Sequence, residues 1–157
     1  MHASLIALVS TIATAAAAPG SSDGASSSST TTVRNTPYAE WPASHFAESC
    51  SPGGCFASFN ISAPAGYVAG APAFDVVCHP IYIQQDWLDC DNTRTGQANS
   101  RVQSMWTDVS QRGLVKISVA HIWTRESGQR NNASGFAEID AGKSMFSIPV
   151  TMLSAVL

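Results

Sequence analysis

Residues 114–123 constrain this chain more than any other stretch. Val115, Ile117, Val119, His121 and Trp123 fall on one side of an extended segment, and Lys116, Ser118 and Ala120 fall on the other. This alternation fits a strand with one buried face; a helix would repeat its apolar positions every three to four residues. Residues 101–109 form a second strand, joined to the first by Ser110-Gln111-Arg112-Gly113, a link of hairpin length and chemistry. Shorter strands are expected at 55–61, 73–78, 81–83, 87–90, 135–139 and 145–150. In the first of these, Ala57, Phe59 and Ile61 share a face with Cys55, while Phe56, Ser58 and Asn60 share the other. Breakers separate the runs: 64–72, 91–100, 126–134 and the turn Asp140-Ala141-Gly142-Lys143. No sustained helical stripe occurs after the leader. The expected fold is all-β: an antiparallel β-barrel or β-sandwich of roughly 7–10 short strands, stapled by disulfides.

The two ends of the chain differ in character. Residues 1–17 begin with an apolar run through Ile12 and continue into small residues, the order of a secretory signal peptide cleaved between Ala17 and Ala18. The run is shorter than the roughly 20 residues of a spanning helix. Residues 18–37 are Ser/Thr-rich and nearly devoid of large apolar side chains, as in a disordered linker. Residues 38–157 carry the β domain, entered through Tyr38, Trp41 and Phe46, with Pro42 among them. Secretion to the extracellular space is the expected location, with no membrane segment in the mature protein. The net charge is −3 and the eight Lys and Arg are scattered, which excludes the clustered basic surface that nucleic acid requires.

Four cysteines follow the leader: Cys50, Cys55, Cys78 and Cys90. An even count in an exported chain reads as disulfides. Three pairings are possible. The spacing favours Cys50–Cys55 and Cys78–Cys90, since each closes a short loop, the first around the turn sequence Ser51-Pro52-Gly53-Gly54. A zinc site would need a second matching half, which the chain does not offer. Asn60 and Asn132 head glycosylation sequons; Asn132 sits in a polar stretch, and Asn60 needs an outward-facing side chain.

Catalytic motifs are absent as motifs. No Gly-x-Ser-x-Gly elbow occurs, although a Ser-His-Asp set need not be contiguous in sequence. His121 lies on the apolar face of its strand and reads as a hydrogen-bonded core histidine. His79 stands near Asp75, Asp86, Asp89 and Asp91, which reads as a solvated loop rim rather than a metal site. Asp108 and Glu138 lie on expected strands and are the candidates for a glycosidase carboxylate pair. No catalytic residue, metal or cofactor is assigned. Among the aromatics, Trp87, Tyr82 and Tyr67 lie in or beside loops and are the candidate binding residues; exposed rings stack on sugars or anchor partners.

Phe59-Asn60-Ile61, a Gly-rich loop, Phe74-Asp75-Val76-Val77-Cys78 and Trp87-Leu88-Asp89-Cys90 together resemble the Alternaria major-allergen family of small secreted fungal β-barrels. The resemblance implies that Cys78–Cys90 is the family's hairpin-spanning disulfide. The chain departs from the family in having no cysteine after Cys90 and in carrying Cys50 and Cys55. The function expected is that of a small secreted fungal protein, non-enzymatic and effector- or allergen-like, binding a host protein or a cell-wall polysaccharide. The alternatives are an extracellular carbohydrate-active hydrolase, which needs two facing carboxylates, and a carbohydrate-binding module, which needs its aromatics on one surface.

Overall fold

The computed structural model describes residues 29–82, 86–92, 99–109, 114–140 and 142–157. The leader at 1–17, residues 18–28 of the expected linker, Ile83 and the 110–113 connection lie outside them. All regular structure among the described residues is β. The strands are β1 (Ser29–Val33), β2 (Ala39–Ser51), β3 (Gly54–Ala63), β4 (Phe74–Cys78), β5 (Leu88–Asp89), β6 (Asp91–Asn92), β7 (Ser100–Val109), β8 (Val115–Thr124), β9 (Arg130–Ile139) and β10 (Met145–Val156). They form one antiparallel sheet in the order β5-β7-β8-β9-β10-β2-β3-β4-β6, with β1 alongside β10.

The sheet curls until its two edges nearly meet, and five residues join them. Leu88 and Asp89 pair with Ser104 and Gln103 of β7, and the Cys90 N–H donates to the Val102 carbonyl at 2.9 Å. The next two residues change sides, so that Asp91 and Asn92 pair with Val77 and Val76 of β4. The Cys78–Cys90 disulfide ties β4 to the point where the segment changes partner. This seam removes most of the free strand edge, which would otherwise be a template for aggregation. The second disulfide, Cys50–Cys55, clamps the β2–β3 hairpin around Pro52-Gly53. Both bonds are those favoured by the loop spacing.

Alternation places the core as expected. Ala57, Phe59 and Ile61 of β3 and Val115, Ile117, Val119, His121 and Trp123 of β8 all point inward and are buried. One end is filled by Phe46, Phe59 and Phe146 and the other by Trp41, Tyr67, Phe74 and Trp123, mostly in edge-to-face contacts.

Four expectations need correction. Residues 29–33 fall in the stretch read as linker yet form β1, pairing from Ser29↔Val156 to Val33↔Met152. Their side chains are all exposed, so backbone hydrogen bonds hold the strand and burial contributes little. Residues 126–134 were expected to be loop, but Arg130–Ser134 belong to β9, with small or polar Asn131 and Ala133 facing inward where large apolar residues would signal a strand. Residues 39–46, expected as an entry segment, belong to the long interior strand β2. Pro42 is tolerated because β2 pairs with β3 only from Ala43 onward, so at Pro42 it has β10 as its single neighbour. Of the expected strand at 81–83, Ile81 forms an isolated bridge with Phe56 rather than part of a strand, and Ile83 lies outside the described residues.

Candidate functional site

The seam end of the barrel holds the most developed polar arrangement. His121 reaches the interior because it shares the inward face of β8 with Val119 and Trp123. Tyr67 comes from the loop between β3 and β4, whose turns are closed by Gly66 N–H to Ala71 O at 2.8 Å and Ala71 N–H to Val68 O at 3.0 Å. Gly66 and Gly70 take φ values of 77° and 76° there, a region that favours glycine. The Arg125 guanidinium pins the loop by donating to the Ala69 carbonyl at 2.6 Å. Ser100 opens β7 opposite Trp123.

These three side chains form one chain of hydrogen bonds. Tyr67 Oη lies 2.7 Å from His121 Nδ1, and Ser100 Oγ lies 2.7 Å from His121 Nε2. A neutral imidazole carries one ring proton, so one nitrogen donates while the other accepts, and the two hydroxyls can serve either assignment. Burial favours the uncharged forms: it pushes His121 down to about 4 and Tyr67 well above its ordinary value. The trio is therefore neutral at pH 7.

The folded-state value of His121 lies below the unfolded value near 6.5, so the unfolded chain binds the proton more readily. The stability it confers is complete above pH 6.5 and is lost as pH falls toward 4. Between pH 7 and 5 the barrel should lose about 2 kcal/mol from this group alone. Urea unfolding across that range checks the slope, and an H121Q variant should flatten it; equal slopes in the two proteins would contradict the assignment.

Ser100 is half-buried and borders two cavities. One is an outer groove of about 390 Å³, lined by Asn99, Ser100, Arg101, Ile122, Thr124 and Arg130. The other is a seam pocket of about 170 Å³ between β4 and β7, lined by Phe74, Val76, Asp89, Cys90, Ser100, Arg101 and Val102.

The other sequence candidates are dispersed. Tyr67 packs on Trp41, Phe74 and Trp123 and serves the interior, so it offers no sugar platform. Tyr82 lies against Trp106, 5.6 Å between ring centroids. Trp87 is half-buried beside β5, its backbone N–H donating to Asp86 Oδ1. Asn60 sits half-buried between Ser44 and Val77 in the ladder, on the outward register of β3. Asn132 lies within β9, opposite Ile122 and Ser154, rather than in a loop. His79 approaches Asp91 at 3.5 Å, both exposed. No group of three metal-ligating side chains occurs among the described residues. Glu138 and Asp108 both pair with Lys116, which thus stands between them in the ladder.

Sequence reading found His121 and its burial but missed Ser100 and the partnership with Tyr67. An inward histidine announces that polar partners exist. Their identity lay 21 and 54 residues away, beyond any local pattern.

Fold and site define a small antiparallel β-barrel with two disulfides and a part-buried Ser-His-Tyr chain at its seam. No protein-family model, curated protein or solved structure matches the chain.

Proposed function

We propose that this chain is an exported, disulfide-stapled barrel that binds an acidic cell-wall polysaccharide, in the manner of small fungal effector- and allergen-like proteins. One observation carries the reading. Arg101 and Arg130 line the same outer groove, and neither makes an ion pair among the described residues. Arg101 pairs with Ile122 on β8, while Arg130 pairs with Thr124 from β9, so the two arginines stand two strands apart. Strand spacing puts their Cα atoms about 12 Å apart, a span that suits two carboxylates on one extended chain better than a single small anion. Asn99, Ser100 and Thr124 supply neutral groups for sugar hydroxyls, and no acidic residue lines the groove. Two arginines make a local site rather than the extended basic field that nucleic acid needs.

The signal-like leader, the paired cysteines and the absence, among the described residues, of any helix long and apolar enough to cross a membrane support export. Retention on immobilised polygalacturonate provides the test. The protein should be retained at low salt and released as salt rises, and R101Q/R130Q should bind about tenfold more weakly, the loss of about 1.4 kcal/mol. A protein that passes unretained at low salt, or a double variant that binds as tightly, would refute the proposal.

A further inference from the structure

We propose that Ser100 is a nucleophile, and that the Ser100–His121 pair cleaves small acyl esters through an acyl-Ser100 intermediate. This activity is separate from polysaccharide binding and does not depend on it. Acyl transfer by serine needs a hydroxyl that substrate can reach, a base within hydrogen-bond distance, and a third group that orients the base. The seam end supplies all three. Ser100 Oγ is 2.7 Å from His121 Nε2, and the far nitrogen of the same ring is 2.7 Å from Tyr67 Oη.

Access is divided in the way such chemistry requires. His121 is fully buried, whereas Ser100 lines both the seam pocket and the outer groove. A fully buried base beside a half-buried serine that borders two cavities is an arrangement that simple filling of the barrel end does not call for. Phe74, Val76 and Val102 give the seam pocket one apolar wall beside polar Asp89, Ser100 and Arg101, and it holds about the volume of six waters, room for a short acyl chain and little more. Arg101 lines both cavities beside Ser100 and brings positive charge to the region where an oxyanion would develop.

The step balances without a cofactor. With the ring proton on Nδ1 and donated to Tyr67 Oη, Nε2 accepts the Ser100 proton as Oγ bonds to the ester carbonyl carbon. The tetrahedral intermediate collapses, the ester C–O bond breaks, and the imidazolium returns its proton to the departing alkoxide. Water then attacks the acyl-Ser100 carbon by the same route, releasing the acid and restoring the serine. Tyr67 is a positioning residue: its neutral phenol holds the ring but stabilises the imidazolium less than a carboxylate would. Deacylation is therefore slow, and a burst of one alcohol per chain precedes weak turnover.

The test treats the purified protein with a fluorophosphonate probe and, separately, with 4-nitrophenyl acetate. The expected result is a probe adduct on the peptide containing Ser100 and a burst of one nitrophenol per chain. S100A removes a single half-buried hydroxyl and should abolish both. Y67F should acylate about tenfold more slowly with unchanged burst amplitude. Partial unfolding would instead lower the amplitude. A folded wild-type protein that takes up no probe, or an S100A variant labelled equally, would overturn the proposal. Unchanged acylation in Y67F would remove Tyr67 from it. Ester cleavage without polygalacturonate retention would leave this inference standing and sink only the binding one.

Discussion

Gly135→Ala should destabilise the barrel by about 3 kcal/mol, the upper range for forcing one methyl into a packed site. A Cβ at Gly135 would fall 1.9 Å from the Pro149 carbonyl oxygen and 2.8 Å from its carbonyl carbon. Both atoms are backbone, so no side-chain rotation relieves the contact. The closeness follows from topology. β10 pairs with β2 over Met145–Val150 and with β9 over Val150–Val156, and it changes partner where Val150 faces Gly135. The register shift between Val150 and Met152 accommodates that bend. Urea unfolding of Gly135→Ala beside Ser134→Ala, one residue away and half-buried, isolates the effect. Equal midpoints for the two variants would show that β10 does not lean on Gly135.

Removing the seam bridge in C78S/C90S should cost about 3 kcal/mol in a domain of this size. The loop-entropy part alone supplies nearly all of that for a separation of 12 residues. The position decides where the loss is felt. Cys90 marks the point where Leu88–Asp89 leave β7 and Asp91–Asn92 join β4, so each side of the seam is held by only two ladder pairs. Without the bridge, residues 86–92 should gain backbone exchange first, ahead of global unfolding. C50S/C55S should cost less, about 2 kcal/mol, since the two-residue hairpin turn already closes that loop. Non-reducing peptide mapping should recover Cys78–Cys90 as a linked pair. A reversed order of costs would place the critical staple at the hairpin.

Where strands showed in the sequence, they showed through contrast between faces. The β8 pattern was legible because large apolar residues alternate with Lys116 and Ser118, and β3 because Phe59 and Ile61 alternate with Ser58 and Asn60. The start of β9 and all of β1 carried no such contrast. Asn131 and Ala133 face inward in one, and every side chain of the other is exposed, so both are held by backbone pairing, with β10 beside each. Local propensity cannot report a hydrogen bond whose partner is supplied by β10.

The candidate site divides along the same line. His121 was predicted to be a buried, hydrogen-bonded histidine from its place among Val119 and Trp123, and it is buried with both ring nitrogens engaged. That Tyr67 enters the barrel, instead of standing on its surface as a binding ring, depended on how the loop between β3 and β4 folds over the barrel end.

By itself, the sequence determined the all-β class and the inward face of each strongly alternating strand, and its spacing favoured one of three cysteine pairings, since each depends on the order and spacing of nearby residues. Only the tertiary structure decided that residues 88–92 change partners to close the seam. It alone brought Ser100, His121 and Tyr67 into one hydrogen-bonded chain and set Arg101 and Arg130 along one groove. Those outcomes depend on strand order and sheet curvature, which bring together residues that no local periodicity connects.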